Sequence, residues 1–284
     1  MSWHLKYWDT IDQLYWSPGL LGLTSIPKRE WTVDGATVTI PSSYLQNGGS
    51  IYTRKGTARE NAERMRRLEE PLNHIFDITF GIAPSQTIRR LFFSPLNFDG
   101  NGAVDRLGRE VAARYPEMAG GNVTQQDAFF VAEDALVGVE LKLGSKTWPG
   151  QVLKYLALMV CEERLTGTRS RIGLLYVTPN RNGTGVLTQA GCALDGSLPE
   201  HFLASIPQSQ KNSMLERLLA EHDALFEGAA KRLQVCHISW AELQEAAQAL
   251  ADAETGKDAG SETHKRLMQG FVAAIDSHSG CLPT

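Results

Sequence analysis

The sequence predicts an α/β protein in which helices flank a central mixed sheet, with additions at both ends of the chain. Three observations carry this. Between residues 104 and 238 the apolar periodicity alternates as helix, strand, strand, helix, strand, helix, strand. The composition, 42% apolar and 21% charged, is that of a globular chain and excludes long disorder, collagen-like repeats and a disulfide scaffold. A length of 284 residues is enough to bury one large core with extensions.

The elements follow in order. Trp3, Trp8, Tyr15 and Trp16 fit a short helix with its rings turned inward. Asp34-Gly35, between two strand-prone runs, signals a two-residue hairpin. A helix is expected from Thr57 to Phe76, with Met65, Leu68, Leu72 and Ile75 at helical spacing and Pro71 kinking or splitting it. Ile88 to Phe93 reads as a strand, 97–102 as a loop, and Val104 to Tyr115 as a helix stopped by Pro116. Asp127 to Val131 and Leu136 to Leu143 read as paired strands. Pro149 opens a helix over Gln151 to Leu165, and Ile172 to Val177 is a strand ended by Pro179. An amphipathic helix is expected from Ser209 to Leu225, a strand from Leu233 to Ile238, and helices over Glu242 to Ala251 and Lys265 to Ile275 around a polar linker. This divides the chain into a hairpin and helix region of unassigned role (1–95), a core (96–240) and a helical tail (241–284).

Charge and sorting signals narrow the class. The net charge is −4, but 51–115 holds 11 Lys and Arg against 8 Asp and Glu, whereas 116–284 holds 14 against 20. A basic patch in an acidic chain is either a phosphate footprint or the solvated face of a helix carrying Arg64, Arg66 and Arg67. No apolar run is long enough to span a membrane and the amino terminus lacks a secretory pattern, so no membrane and a cytoplasmic location are expected. Cys161, Cys192, Cys236 and Cys281 are too scattered for a zinc site and read as idle thiols.

The informative stretch runs from Gln126 to Lys142. Along the second strand Val137, Val139, Leu141 and Leu143 share one face, and Gly138, Glu140 and Lys142 share the other. With Glu133-Asp134 as the turn, Phe130 faces Val137, Ala128 faces Val139 and Asp127 faces Glu140. Two carboxylates directly opposite, with Cβ atoms ~5 Å apart, destabilise a sheet unless something compensates. A divalent cation is one candidate and Lys142, on the same face, is another.

Asp127, Glu140 and Lys142 on such a hairpin resemble the active site of the PD-(D/E)XK nuclease superfamily, with Gln126 where that family usually has proline. Downstream, Gln151 and Tyr155 are similar to the Q-x-x-x-Y element of its RecB-like branch, and at i and i+4 they share a helix face. The resemblance covers about 104–180 and implies a restriction-endonuclease-like core. It also implies a further Glu on the helix before the hairpin, for which Glu110 is the candidate and Glu63 the reserve. The implied chemistry is phosphodiester hydrolysis assisted by Mg²⁺ (or Mn²⁺) held by Asp127, Glu140 and the Leu141 carbonyl. In that scheme Lys142 orients or helps deprotonate the attacking water, or balances the charge building on the phosphate. The second role needs no depressed pKa. Arg109, Lys146 and Lys154 would touch backbone phosphates.

Competing motifs fail. Gly144-Ser145-Lys146-Thr147 lacks P-loop spacing, and the run from Asp99 to Glu110 has Val104 where a calcium loop needs Gly. The expected function is therefore a metal-dependent nuclease acting on nucleic acid, DNA in the first instance. The alternatives are an inactive nucleic-acid-binding or partner-binding module on the same fold, and an unrelated α/β enzyme in which Glu140 and Lys142 form a surface ion pair. The sequence leaves the oligomeric state open, a homodimer included.

Overall fold

The computed structural model describes Trp3 and residues 28–33, 36–41, 69–107, 114–118, 126–144, 146–278 and 280–282. Strands β1 (Lys28–Val33) and β2 (Ala36–Pro41) form an antiparallel pair with Val33 opposite Ala36, and the Asp34-Gly35 expected as its turn lies outside the described residues. The main sheet has five strands in sequential order: β3 (Val104–Leu107), β4 (Ala128–Ala132), β5 (Ala135–Leu141), β6 (Arg171–Thr178) and β7 (Leu233–Ser239). The first three are antiparallel and the last three parallel, so the sheet is mixed. A parallel step cannot be closed by a tight turn. The chain accordingly passes from β5 to β6 through helix α3 (Pro149–Thr166), and from β6 to β7 through a helical stretch.

Strand alternation sends side chains into two separate cores. Ala128, Phe130, Val137, Val139 and Leu141 pack against α1 (Glu69–Ile82), the helical run through Phe92 and Phe93, α8 (Trp240–Ala253) and α9 (Ala259–Ser277). Phe129, Leu136, Leu174 and Tyr176 pack on the other side against α3, α6 (Ser213–Glu221) and α7 (Asp223–Arg232). Three shorter helices complete the numbering: α2 (Ser85–Ile88), α4 (Gly183–Gln189) and α5 (Phe202–Ser205). β5 lies at the centre of the sheet and every one of its residues is buried. The architecture is an α/β fold with a five-stranded mixed sheet covered by helices on both faces.

The hairpin has the expected register. Ala128 pairs with Val139 and Phe130 with Val137 around the Glu133-Asp134 turn. Arg89 and Arg171 both reach the Asp134 carboxylate, which supports a turn whose residues are poor formers of a tight one.

Three expectations need correction. The run from Ile88 to Phe93 is helical, with a π-turn over Arg89–Phe93. Six residues in which Ile88, Leu91, Phe92 and Phe93 surround Arg89 and Arg90 suit a short strand and a helical turn equally well, and the length decides nothing. Val104–Leu107 is an edge strand, with Leu107 opposite Phe129, instead of the start of a helix. The expected helix over 209–225 is broken: Asn212 caps α6 by accepting Leu215 N–H at 2.8 Å, and a new helix starts at Asp223. The helix expected from Thr57 is described only from Glu69, with Pro71 as its third described residue, and it runs on to Ile82. Met65, Leu68 and most of the aromatic amino-terminal stretch lie outside the described residues. All four cysteines are free thiols, three of them buried. Among the described residues no helix is long and apolar enough to cross a membrane.

Candidate functional site

Where β4 begins and β5 ends, five of the residues singled out in the sequence come together. Asp127 stands one residue before the β4 ladder, and its side chain takes over where backbone pairing stops. Lys142 N–H donates to Val177 on β6, so the preceding Leu141 N–H points the other way and is accepted by Asp127 Oδ2 at 2.7 Å. Asn73 of α1 donates its amide to Asp127 Oδ1, also at 2.7 Å. Glu140 projects from β5 toward α3. Its Oε1 accepts Gln151 Nε2 and lies 2.6 Å from Lys142 Nζ, and its Oε2 accepts the Tyr155 hydroxyl at 2.7 Å.

Gln151 and Tyr155, one helical turn apart, therefore engage the same carboxylate. Tyr155 also ties the two acidic residues together. Its oxygen lies 2.6 Å from Val139 O and accepts Asp127 N–H at 3.3 Å. Gly138 makes room for the ring, because a Cβ there would lie 2.4 Å from Tyr155 Cδ1. Burial, with the charges of Glu140 and Asp127 adding to it, holds the Tyr155 phenol well above its ordinary pKa, so it remains a neutral donor.

The cluster lies inside the protein. Asp127, Glu140 and Lys142 are each 6% exposed and Gln151 7%, a degree of burial that charged groups tolerate only when paired. The like-charge conflict expected at the end of the hairpin is resolved by this chain's own groups: Lys142 neutralises Glu140, while Asn73 and the Leu141 amide hold Asp127. Two buried oxygens beside the carboxylates, Asn73 Oδ1 and Gln151 Oε1, have no hydrogen-bond partner among the described residues. The Tyr176 hydroxyl, opposite Glu140 in the β5–β6 ladder, has none among them either. Buried amide oxygens are ordinarily satisfied, and a water or an ion would meet that need. The donor set, two carboxylates with amide and backbone oxygens, is all hard oxygen and matches Mg²⁺ or Mn²⁺ better than zinc. Among the described residues no group of three or more His, Cys, Asp and Glu gathers as a metal cluster.

Several supporting residues carried no signal in the sequence. Asn73 is 54 positions from Asp127 and belongs to no charged motif. Arg106 on β3 pairs with Asp77 of α1 and reaches the Asp127 carbonyl at 3.4 Å, linking helix, edge strand and site. Trp240, fully buried at the start of α8, donates its indole N–H to the Lys142 carbonyl at 2.8 Å. Its position is set by a capping box between Ser239 and Glu242, so the carboxy-terminal helices help place the lysine. Glu110, Arg109 and the reserve Glu63 lie outside the described residues, and α1 reaches Asp127 through Asn73. Lys146 is exposed, and Lys154 lines a groove near Trp148.

A larger cavity, about 830 Å³, lies along β3 and is lined by Arg106, Arg114 and Glu162 among others. Three of its charged groups are paired. The fully buried Glu162 accepts from the Arg114 guanidinium at 3.1 Å and from the Tyr115 hydroxyl at 2.8 Å, and Arg106 is held by Asp77. Comparison of the chain with protein-family models, with curated proteins and with solved structures found no match in any of the three.

Proposed function

We propose that this chain is a metal-dependent nuclease hydrolysing phosphodiester bonds in DNA on a restriction-endonuclease-like core. The observation that carries the reading is convergence. Asp127, Glu140, Lys142, Gln151 and Tyr155, singled out by their resemblance to the motifs of the PD-(D/E)XK superfamily, meet in one buried hydrogen-bonded cluster. A fortuitous surface hairpin would leave Glu140 and Lys142 in solvent and Gln151 elsewhere.

Asp127, Glu140 and the Leu141 carbonyl would hold Mg²⁺, beside the Asn73 and Gln151 amide oxygens that have no partner among the described residues. When bound, the ion supplies a Lewis acid for the phosphoryl oxygen and lowers the pKa of coordinated water. The chain's own groups do the rest. Gln151 and Tyr155 fix the orientation of Glu140. Lys142 would present positive charge to the developing pentavalent phosphate. Burial of the cluster strengthens each of these interactions relative to water.

The test is degradation of plasmid and linear DNA with and without Mg²⁺, comparing the natural chain with Asp127→Ala and Lys142→Ala. Cleavage that needs the ion and disappears in both variants supports the reading. Metal-independent cleavage, or activity surviving either change, refutes it.

One observation favours a second reading, an inactive nucleic-acid-binding module. Lys142 lies 2.6 Å from Glu140 and already balances its charge without a metal. On that reading DNA binding is salt-dependent, survives Asp127→Ala and is accompanied by no cleavage.

A further inference from the structure

Beside the carboxylate cluster lies a groove of about 470 Å³, lined by Trp148, Lys154, Ser209, Gln210, Lys211 and Asn212. Among the described residues it contains two lysines and no acidic side chain, although the carboxy-terminal part of the chain is acidic overall. One wall is anchored, since Gln210 accepts Gly150 N–H at 2.9 Å and thereby fixes the 208–210 turn to the start of α3. Trp148, the residue just before α3, is 38% exposed, unusually open for a large aromatic. Its ring centroid is 5.6 Å from Lys142 Nζ, and that nitrogen is 2.6 Å from Glu140. An unbroken set of contacts thus leads from the groove through the indole to the buried site.

We infer that this groove receives a single nucleic-acid strand, one base stacking on Trp148 while Lys154 and Lys211 meet its phosphates. The inference rests on the nuclease reading and names the form of substrate that site would take. An exposed indole flanked by cations is the pairing by which single strands are held without sequence preference, because every base has a face to stack. A duplex keeps its base faces covered by neighbouring pairs and offers Trp148 nothing to stack on. The strand held here would pass Lys142, which touches both the indole and the Glu140 carboxylate.

The test is equilibrium binding of an end-labelled single-stranded DNA oligonucleotide, and of a duplex of equal length, to the full chain in EDTA, so that the readout is independent of cleavage. The expected result is tighter binding of the single strand. Trp148→Ala should weaken it about 5- to 150-fold, the range measured for loss of one stacked base. Trp148→Phe should stay within a few-fold of the natural chain, and Lys154→Ala and Lys211→Ala should each flatten the salt dependence by about 0.7 in log–log slope. Thermal melts of each variant identify any that fail to fold. Duplex binding as tight as the single strand, or an unchanged affinity in folded Trp148→Ala, overturns the inference. A loss in Trp148→Phe as large as that in Trp148→Ala also overturns it. The two proposals fail separately. Mg²⁺-dependent cleavage without single-strand preference removes this one alone, and single-strand binding without cleavage removes the hydrolytic reading alone.

Discussion

Lys142 and Glu140, two residues apart on the same side of β5, form an ion pair of 2.6 Å with both side chains more than nine-tenths buried. The pair answers the repulsion that two acidic residues at the end of one hairpin would otherwise suffer. Removing one partner of a buried pair leaves the other charge without compensation, at a cost of about 3–5 kcal/mol. Lys142→Met, similar in length but uncharged, should therefore lower the melting temperature sharply, and Mg²⁺ should restore part of the loss by taking the place of the ammonium. Cleavage should fall about 100- to 1000-fold, the scale expected for loss of one group facing a developing charge. Equal melting of Lys142→Met with and without Mg²⁺ would show that no cation reaches Glu140.

Asn73 anchors Asp127 from a different layer of the fold, its amide 2.7 Å from Oδ1. It does not itself face the reacting atoms in this scheme and acts by positioning. Loss of such a support typically weakens metal affinity or activity by about 10- to 100-fold. Asn73→Ala should shift the Mg²⁺ midpoint of cleavage upward by that amount, with the maximal rate recovered at saturating metal. Asn73→Asp should pull the midpoint back toward the natural value by adding an oxygen ligand. A midpoint that Asn73→Ala leaves in place would reduce this contact to packing.

The hairpin from Ala128 to Leu141 was legible because period-two alternation and the turn together fix the register, and one slip would send every apolar residue to the wrong face. Gln151 and Tyr155 were legible through the resemblance to a Q-x-x-x-Y element, and their i and i+4 spacing on a helix that starts at Pro149 puts them on one face. The segments that were misread are those with no period to read. Ile88–Phe93 is only six residues long, with Arg89 and Arg90 interrupting its apolar positions; Ile88, Leu91, Phe92 and Phe93 are buried while Arg90 is exposed, a pattern too short to fix a period. Val104–Leu107 is a four-residue edge strand that mixes Asp and Arg with apolar residues, too short for alternation to register. Asn73, Arg106 and Trp240 reach the site from helices and an edge strand far away in sequence, and only the packed core brings them there.

Gly138 and Tyr155 form a second test of the site, one that uses no charged residue. A Cβ at 138 would lie 2.4 Å from the ring, so Gly138→Ala must push Tyr155 off Val139, Asp127 and Glu140. Overpacking of this kind costs about 1–3 kcal/mol. Tyr155→Phe removes the same hydroxyl without the steric push. Because both changes act through one oxygen, their effects on cleavage should not add, and the double variant should be about as slow as the slower single one. Additive losses would mean that Gly138 matters for some reason other than the ring.

The buried hydroxyls and thiols also set a pH limit on stability. Burial raises Tyr155 and Tyr176 well above the ordinary phenol value of 10.0, the nearby Glu140 charge adding to it, and it pushes the Cys161 and Cys192 thiols from 9.0 up to about 12. For each group the folded pKa exceeds the unfolded one, so below the unfolded value both states hold the proton and the stability is fully present. Above it the unfolded chain releases a proton that the folded chain keeps, and stability falls as pH rises. The thiols act first, above pH 9.0, and the phenols join above pH 10.0. Each group steepens the decline by up to about 1.4 kcal/mol per pH unit. Urea unfolding followed from about pH 8 to about pH 11 should therefore give parallel curves for the natural chain and Tyr155→Phe up to the phenol range, and a shallower descent for the variant beyond it. If the two curves stay parallel through that range, the Tyr155 hydroxyl is ionising in the folded protein, and it cannot be the neutral donor that fixes Glu140.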